Sequence, residues 1–566
     1  MTRLTNDPAD FPAEALKGFI AANKRYVKPV YGGVARSTFT PAGKVAVVYG
    51  GGSGHYPAFA GWVGHGFADG AVCGNIFSSP SAAQAYSVLK AVHRGAGVLM
   101  GFGNYAGDVL HFGQAIERLR AEGIEADTLV VTDDIASGDA AEPEKRRGIA
   151  GDFPVFKITS AAAEAGLGFD EVKRVFAKAN AATRSFGVAF AGCTLPGAKG
   201  PLFTVPAGRM GIGLGIHGEP GVAEADLGSA DDVARTLVEG LLADRPAGAG
   251  NRVVAIVNGL GASKYEELFV VTSCVVARLE AAGLECADVE AGEFVTSLDM
   301  AGVSLTLVWV DDELLGYWDA PCDAPAYRKG SVGSVERDDA ALSQAAAPVE
   351  VTTPGSTASR EAAEVAAGLL DDVAEMLARA QEELGALDSV AGDGDHGIGM
   401  ANGSRAAAGA AHAAVSAGGG LRTTLTAAGD AWSNRAGGTS GALWGALLTA
   451  LGSALGDEKT PGSDDLAAAL QAALSAVQRL GGAEVGDKTL VDALSPFVAA
   501  FVATNGDLAA KSAAAVVAAE AGTESTRALV ARLGRARPLG EKSVGTPDPG
   551  AVSLTKVVTL LNSRLG

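Results

Sequence analysis

Residues 44–55 read KVAVVYGGGSGH: an apolar run through Tyr49, then four glycines and a serine, then His55. An unbroken β-branched run of this length suits a strand buried on both faces. A glycine stretch directly after it suits a ligand loop at the strand's carboxyl end. The same grammar recurs along the chain. Residues 97–102 lead into Gly103-Asn104-Tyr105, and residues 128–132 lead into Asp133-Asp134. Later runs occupy 187–191, 253–257 and 304–310. Helical segments lie between several of them, so residues 1–330 are expected to form α/β units. An Ala-rich stretch around 170–184 divides this part into two lobes, split near 185.

The character changes once. Residues 331–356 hold few large apolar side chains and run toward Thr352-Thr353-Pro354-Gly355, which reads as a linker. Beyond it, Val365, Leu369, Val373, Leu377 and Leu384 keep a helical spacing, as do Leu466, Leu470, Leu474 and Val477. Further helices are expected near 525–532 and after Asp548-Pro549-Gly550. Residues 357–566 therefore read as an all-α bundle.

Composition narrows the function classes. The chain has 566 residues, 48% of them apolar, which excludes bulk disorder. Glycine stands at 77, about twice its usual share, and must sit where φ is positive or backbones approach closely. A net charge of −20 argues against a broad nucleic-acid or anionic-membrane surface. Any phosphate must then be held by local devices: backbone N–H groups, single cations or a metal. Five scattered cysteines without a C-x-x-C fit a reducing cytoplasm rather than a disulfide framework. No stretch has the length and apolarity of a signal peptide or a membrane span.

Several loops carry chemistry. Leu387 to Gly397 places Asp388, Asp393 and Asp395 within eight residues, among glycines that let the backbone curl. Hard oxygen ligands of this kind suit Mg²⁺ shared with nucleotide phosphates; the plain alternative is a solvated acidic turn. Asn434 to Gly441 (NRAGGTSG) opens an apolar helix, a ready anion site or an ordinary cap. Gly486-Asp487-Lys488-Thr489-Leu490, Gly534-Arg535 and Asp548-Pro549-Gly550 add cations, backbone donors and acids, and no Walker loop is present. In the first part, His55 is either catalytic or structural. Asp108, in Gly103-Asn104-Tyr105-Ala106-Gly107-Asp108, is either a general base or a helix cap. His217, flanked by glycines in GIHGEPG, is sterically accessible, and a neutral imidazole is a nucleophile.

In this order the motifs GGGSGH, GNYxGD, GIHGEPG, GDGDHG, GGTSG, GDKT and DPGA resemble the ATP-dependent dihydroxyacetone kinase family over nearly the whole chain. The resemblance implies a two-lobed α/β ketose-binding K domain at 1–330 and an all-α helical-barrel, ATP-binding L domain at 357–566. It implies that His217 attacks the ketose carbonyl to form a hemiaminal. His55 then assists proton transfer, and Asp108 orients or deprotonates the hydroxyl that is phosphorylated. Gly52, Ser53, Gly54, Tyr56 and Gly103 would border the substrate. Asp388, Asp393 and Asp395 would hold Mg²⁺. His396, Gly397, Ile398, Gly399, Gly438, Thr439, Ser440, Leu490, Arg535, Asp548, Pro549 and Gly550 would surround the nucleotide. The implied setting is a cytoplasmic homodimer whose L domain serves the partner's K domain, with ketose and ATP as partners and neither nucleic acid nor membrane.

Two positions depart from the family pattern. Tyr56 replaces a Glu common after the first histidine, and Gly103 replaces a Lys common before Asn-Tyr. Loss of the long cation at 103 is expected to open space for a C4 ketose. D-erythrulose is therefore favoured over dihydroxyacetone and L-erythrulose. The competing readings are a phosphohistidine-dependent transferase, a ketose-sensing regulator and a flavin cyclase.

Overall fold

The computed structural model describes residues 4–219, 221–338, 340, 342, 354–392, 394–534 and 536–564. The chain divides into two compact units, Met1–Ala346 and Ala347–Gly566.

The first unit begins with α1 (Phe11–Ala22), β1 (Val27–Val30), β2 (Gly33–Arg36), β3 (Ala46–Ser53) and β4 (Gly70–Ile76). It continues with α2 (Ala82–Val92), β5 (Val98–Gly103), α3 (Ala106–Ala121) and β6 (Ala126–Val131). These strands form one sheet in the order β1-β2-β4-β3-β5-β6, parallel from β4 to β6. Helices α4 (Asp152–Glu164) and α5 (Phe169–Ala181) lead to β7 (Thr183–Ala191), β8 (Arg209–Ile212) and β9 (Ala223–Asp226). Then follow α6 (Ala230–Ala243), β10 (Arg252–Gly259), α7 (Tyr265–Ala281), β11 (Glu285–Gly292), β12 (Ala301–Trp309) and α8 (Asp312–Asp319). The second sheet is ordered β11-β10-β12-β7-β8-β9, with only β10 and β11 paired in parallel.

The glycines that follow Tyr49 lie inside β3 rather than beyond it. A side chain there has no room. A Cβ at Gly51 would stand 2.8 Å from the Phe59 ring, and one at Gly52 would stand 2.5 Å from the Ser78 nitrogen. They are close-approach positions, and the strand carries its buried face up to His55.

The stretch expected as linker is partly anchored on the first unit. Phe39 N–H donates to the Glu336 carbonyl at 2.8 Å, Asp338 N–H to the Ser37 carbonyl at 2.9 Å, and Lys28 Nζ to the Asp338 carbonyl at 3.0 Å.

The second unit is all helical: α9 (Thr357–Arg379), α10 (Gln381–Asp388), α11 (His396–Ser416), α12 (Leu421–Ala436) and α13 (Gly438–Leu455). It continues with α14 (Ser463–Gly481), α15 (Val491–Ala503), α16 (Leu508–Ser525) and α17 (Pro549–Ser563). Helices α11 to α17 each pack on the next in sequence, α11 also packs on α9, and α17 returns to α9 and α10, which closes a helical barrel. The helix expected near 525–532 does not form. The chain there makes a short 3₁₀ turn, Thr526–Ala528, because the carbonyls of Thr526 and Leu529 accept from the buried Lys488 ammonium instead of from a following helical turn.

Candidate functional site

In the first unit, loops from both sheets meet. His55 follows β3, Tyr105 and Asp108 open α3 after the neighbouring β5, and His217 sits between β8 and β9. The two histidines are buried with their Nε2 atoms 3.0 Å apart. The other nitrogen of each ring is fixed. His55 Nδ1 donates to the Thr296 carbonyl at 2.7 Å, and His217 Nδ1 lies 2.9 Å from Glu219 Oε1. Phe77 and Tyr105 wall the pair, with ring centroids 5.2 and 4.6 Å from that of His217.

Proton counting constrains this arrangement. A carbonyl only accepts, so His55 carries its proton on Nδ1. A carboxylate beside His217 places a proton on that Nδ1 as well. Two bare Nε2 lone pairs would then repel at 3.0 Å, so the pair holds one further proton. Burial, and then the charge of His217, push His55 down to about 3. The shared proton lies between the two Nε2 atoms, and Glu219 faces the far side of the His217 ring.

Glu219 is a functional residue that the sequence alone leaves without a role. A carboxylate two residues from an accessible His was the available signal. Its Oε2 accepts from the His217 backbone N–H at 3.0 Å. Arg147 stands 3.8 Å from the same oxygen and is itself held by Asp134 at 2.8 Å. Nearby positive charge of this kind favours the ionised carboxylate.

Asp108 is the third residue of α3 and is buried. Asp152, at the start of α4, is also buried, and its Oδ1 makes no hydrogen bond among the described residues. Burial, then the charges of Asp133 and Asp108, hold Asp152 well above the usual carboxylate range. Gly54 carries φ +104, and a Cβ there would press on Phe77 at 2.8 Å. Ser53 Oγ donates to the Gly74 carbonyl at 2.7 Å, and Tyr56 is half exposed. Gly103 does not open space. A Cβ there would meet the Gly148 carbonyl oxygen at 2.9 Å, so the position is a close approach of two backbones.

In the second unit, His396 gathers three helix N-termini. It is the first residue of α11, its Nδ1 lies 3.2 Å from Ser440 Oγ on α13, and its Nε2 lies 3.0 Å from Ser553 Oγ on α17. Helix N-termini brought together present N–H groups and positive dipole ends, a phosphate-binding arrangement. Gly397 is required here, since a Cβ would fall 2.0 Å from the Gln381 carbonyl oxygen. Gly550 packs against Leu490, and Asp548 caps α17 by accepting from Ala551 N–H at 2.7 Å. Ile398 is exposed at the mouth of α11, and Gly399, Gly438 and Thr439 lie on the first turns of α11 and α13.

Asp388 Oδ2 accepts from His396 N–H at 3.3 Å. Burial, then Asp388, push Asp395 up to about 7, and burial, then Asp492 and Asp388, push Asp548 to about 7. Buried carboxylates that repel one another stay ionised together when a cation lies among them. This donor chemistry therefore fits Mg²⁺. Among the described residues no three such side chains form a complete metal cluster, and Asp393 and Arg535 lie outside the described residues. Lys488 does not offer its charge to a phosphate, because its ammonium donates to four backbone carbonyls.

Comparison with known proteins agrees over both units. The Dak1 domain family matches residues 17–326 and the DAK2 domain family matches 390–563. A D-erythrulose kinase of Mycolicibacterium smegmatis is 55% identical, covering 98% of this chain and 97% of its own length. An L-erythrulose 1-kinase of the same organism is 54% identical, covering all of both chains. The solved structure of a dihydroxyacetone kinase from C. freundii in complex with AMP-PNP and Mg²⁺ is 30% identical with a TM-score of 0.54, covering 100% of this chain and 99% of that one.

Proposed function

The chain belongs to the dihydroxyacetone kinase family and is an ATP-dependent ketose kinase; from that premise we propose that it phosphorylates erythrulose held covalently on His217. The observation that carries the covalent step is the His55–His217–Glu219 chain, with contacts of 3.0 and 2.9 Å. We assign ketose binding to the first unit and nucleotide binding to the second.

The reaction begins with the shared proton. It settles on His55 Nε2, which leaves a free lone pair on His217 Nε2. That pair attacks the ketone carbon, the N–C bond forms, and the carbonyl π pair moves to oxygen. His55 returns its Nε2 proton to that oxygen and becomes neutral again. The substituted His217 ring now carries positive charge, which Glu219 balances by ion pairing or by accepting the Nδ1 proton. A polyol offers no electrophilic carbon, so this step selects ketoses over glycerol. Asp108 takes the proton of the terminal hydroxyl as that oxygen bonds to the γ-phosphorus and the bond to ADP breaks.

In the second unit, Asp388 and Asp395, with Asp393, would hold Mg²⁺. When bound it neutralises charge on the phosphates. His396 to Gly399, Gly438 to Ser440, Leu490, Arg535 and Asp548 to Gly550 bind the nucleotide. We further propose a cytoplasmic homodimer in which the second unit serves the partner's first unit. Restored activity on mixing His217→Ala with Asp388→Asn enzyme supports this pairing, and two inert halves refute it. Described residues include no helix long and apolar enough to cross a membrane, and the five cysteines are free.

The substrate test is ketose-dependent ADP release with D-erythrulose, L-erythrulose and dihydroxyacetone, alongside intact-mass detection of the adduct. We expect the highest kcat/KM with an erythrulose enantiomer and loss of the adduct in His217→Ala. A higher kcat/KM for dihydroxyacetone than for both enantiomers overturns the substrate, and an adduct surviving in His217→Ala overturns the covalent step.

A further inference from the structure

Lys488 is buried at 4% exposure, on backbone with φ +61, a region that a lysine rarely adopts. Its Nζ donates to the carbonyls of Thr526 at 2.9 Å, Leu529 at 3.2 Å, Ser543 at 2.6 Å and Thr546 at 2.8 Å. An ammonium has three protons, so four backbone acceptors share them, with the Asp548 carboxylate adding a longer-range attraction. The four carbonyls come from both ends of the segment that joins α16 to α17. Among its described residues that segment has little regular structure of its own, two 3₁₀ stretches, Thr526–Ala528 and Arg537–Ser543.

The same segment ends at the candidate nucleotide site. Asp548 N–H donates to Thr526 Oγ1 at 2.9 Å, so the turn gripped by Lys488 also sets the start of α17. The base of the cage is equally fixed. Asp492 Oδ1 accepts from Gly486 N–H at 2.6 Å, and Oδ2 accepts from Thr489 N–H at 2.7 Å. Leu490, which packs on Gly550, lies two residues after Lys488.

We infer that Lys488 is a positioning residue for ATP: its ammonium, standing where a bound monovalent cation could, draws residues 526–548 into the wall that holds the nucleotide. The inference rests on the placement of the nucleotide beside Leu490 and Asp548–Gly550 proposed above. A buried charge satisfied by four dipoles is costly to remove, because the acceptors are left without a donor. Arginine does not substitute, since a planar guanidinium does not match acceptors gathered around a compact ammonium.

The experiment compares full-length wild-type, Lys488→Ala and Lys488→Arg enzymes. Its readouts are KM for ATP, KM for erythrulose, and amide exchange over 526–548. Both variants should exchange faster in that segment and raise KM for ATP roughly tenfold or more. The ketose KM and the His217 adduct should not change. Ethylammonium should restore ATP affinity in Lys488→Ala, whereas tetramethylammonium, which has no N–H, should not. Unchanged exchange in both variants overturns the cage. Faster exchange with an unchanged KM for ATP overturns the link to the nucleotide, and with it the placement of ATP at this wall. Equal rescue by tetramethylammonium reduces the effect to ionic strength and overturns the inference. Lys488→Arg keeps the charge and bulk, so it decides the matter if Lys488→Ala does not fold.

Discussion

Glu219→Gln removes one charge behind His217 and, because an amide keeps a single acceptor oxygen, also the bond that Oε2 accepts from the His217 backbone N–H at 3.0 Å. The glutamine carbonyl still accepts from His217 Nδ1, where the carboxylate now stands at 2.9 Å. Arg147 keeps Asp134 at 2.8 Å, so no buried guanidinium is left alone. Charge centres about 4 Å apart attract by about 4 kcal/mol at an effective dielectric of about 20. Arg147 already shares the carboxylate at 3.8 Å, so roughly half of that, about 2 kcal/mol, is the expected loss. That is about thirtyfold in rate. The assay is kcat/KM for erythrulose under saturating ATP, with the adduct fraction read by intact mass. Both should fall by about that factor, and KM for ATP should stay put. A variant within about twofold of wild type would refute the charge-balancing role of Glu219, since even a modest charge-assisted hydrogen bond exceeds that. A loss matched by a raised KM for ATP would show a general defect rather than a local one.

Asp388→Asn should raise the magnesium needed for half-maximal rate about tenfold or more and leave the His217 adduct intact; an unaltered magnesium titration excludes it as a ligand. Gly103→Ala should cost about 1–3 kcal/mol of stability, because its Cβ meets the Gly148 carbonyl oxygen at 2.9 Å. Wild-type stability together with a changed preference between erythrulose and dihydroxyacetone would show that position 103 faces substrate after all. His55 is held down to about 3 by burial and then by His217, against an unfolded value near 6.5. Its contribution is complete above about pH 6.5 and is lost as pH falls toward 3, by up to about 1.4 kcal/mol per unit. His55→Asn should therefore lose less stability than wild type on acidification between those values, measured by denaturant titration, and equal slopes would contradict the shift.

The strand-then-glycine grammar of residues 44–55 was enough to place an α/β sheet, since buried strands are written locally, although its glycines continue the strand as close-approach positions instead of forming a loop beyond it. The helical unit was legible for the same reason, through spacings such as Leu466, Leu470, Leu474 and Val477. The failures are tertiary. Gly103 read as open space because nothing near it in sequence announces Gly148, whose backbone occupies that space. Residues 525–532 read as helix because local propensity cannot register a lysine some 40 residues earlier that claims two of the carbonyls. Glu219 was visible but idle, because a carboxylate beside a histidine acquires its role only once the other ring nitrogen is seen to face His55.

Lys488 also changes what the acidity of the chain means. A protein of net charge −20 that binds a triphosphate might be expected to save its cations for the phosphates. Here the lysine of the GDKT motif is withdrawn into backbone, where its charge organises a loop. In the proposed site the phosphates would then be left to helix N-termini gathered by His396 and to Mg²⁺ held by Asp388 and Asp395. With Asp388, Asp395 and Asp548 gathered there, such a site would hold nucleotide poorly without the metal. Metal and nucleotide should therefore bind with strong mutual coupling, each raising the affinity of the other by the same factor.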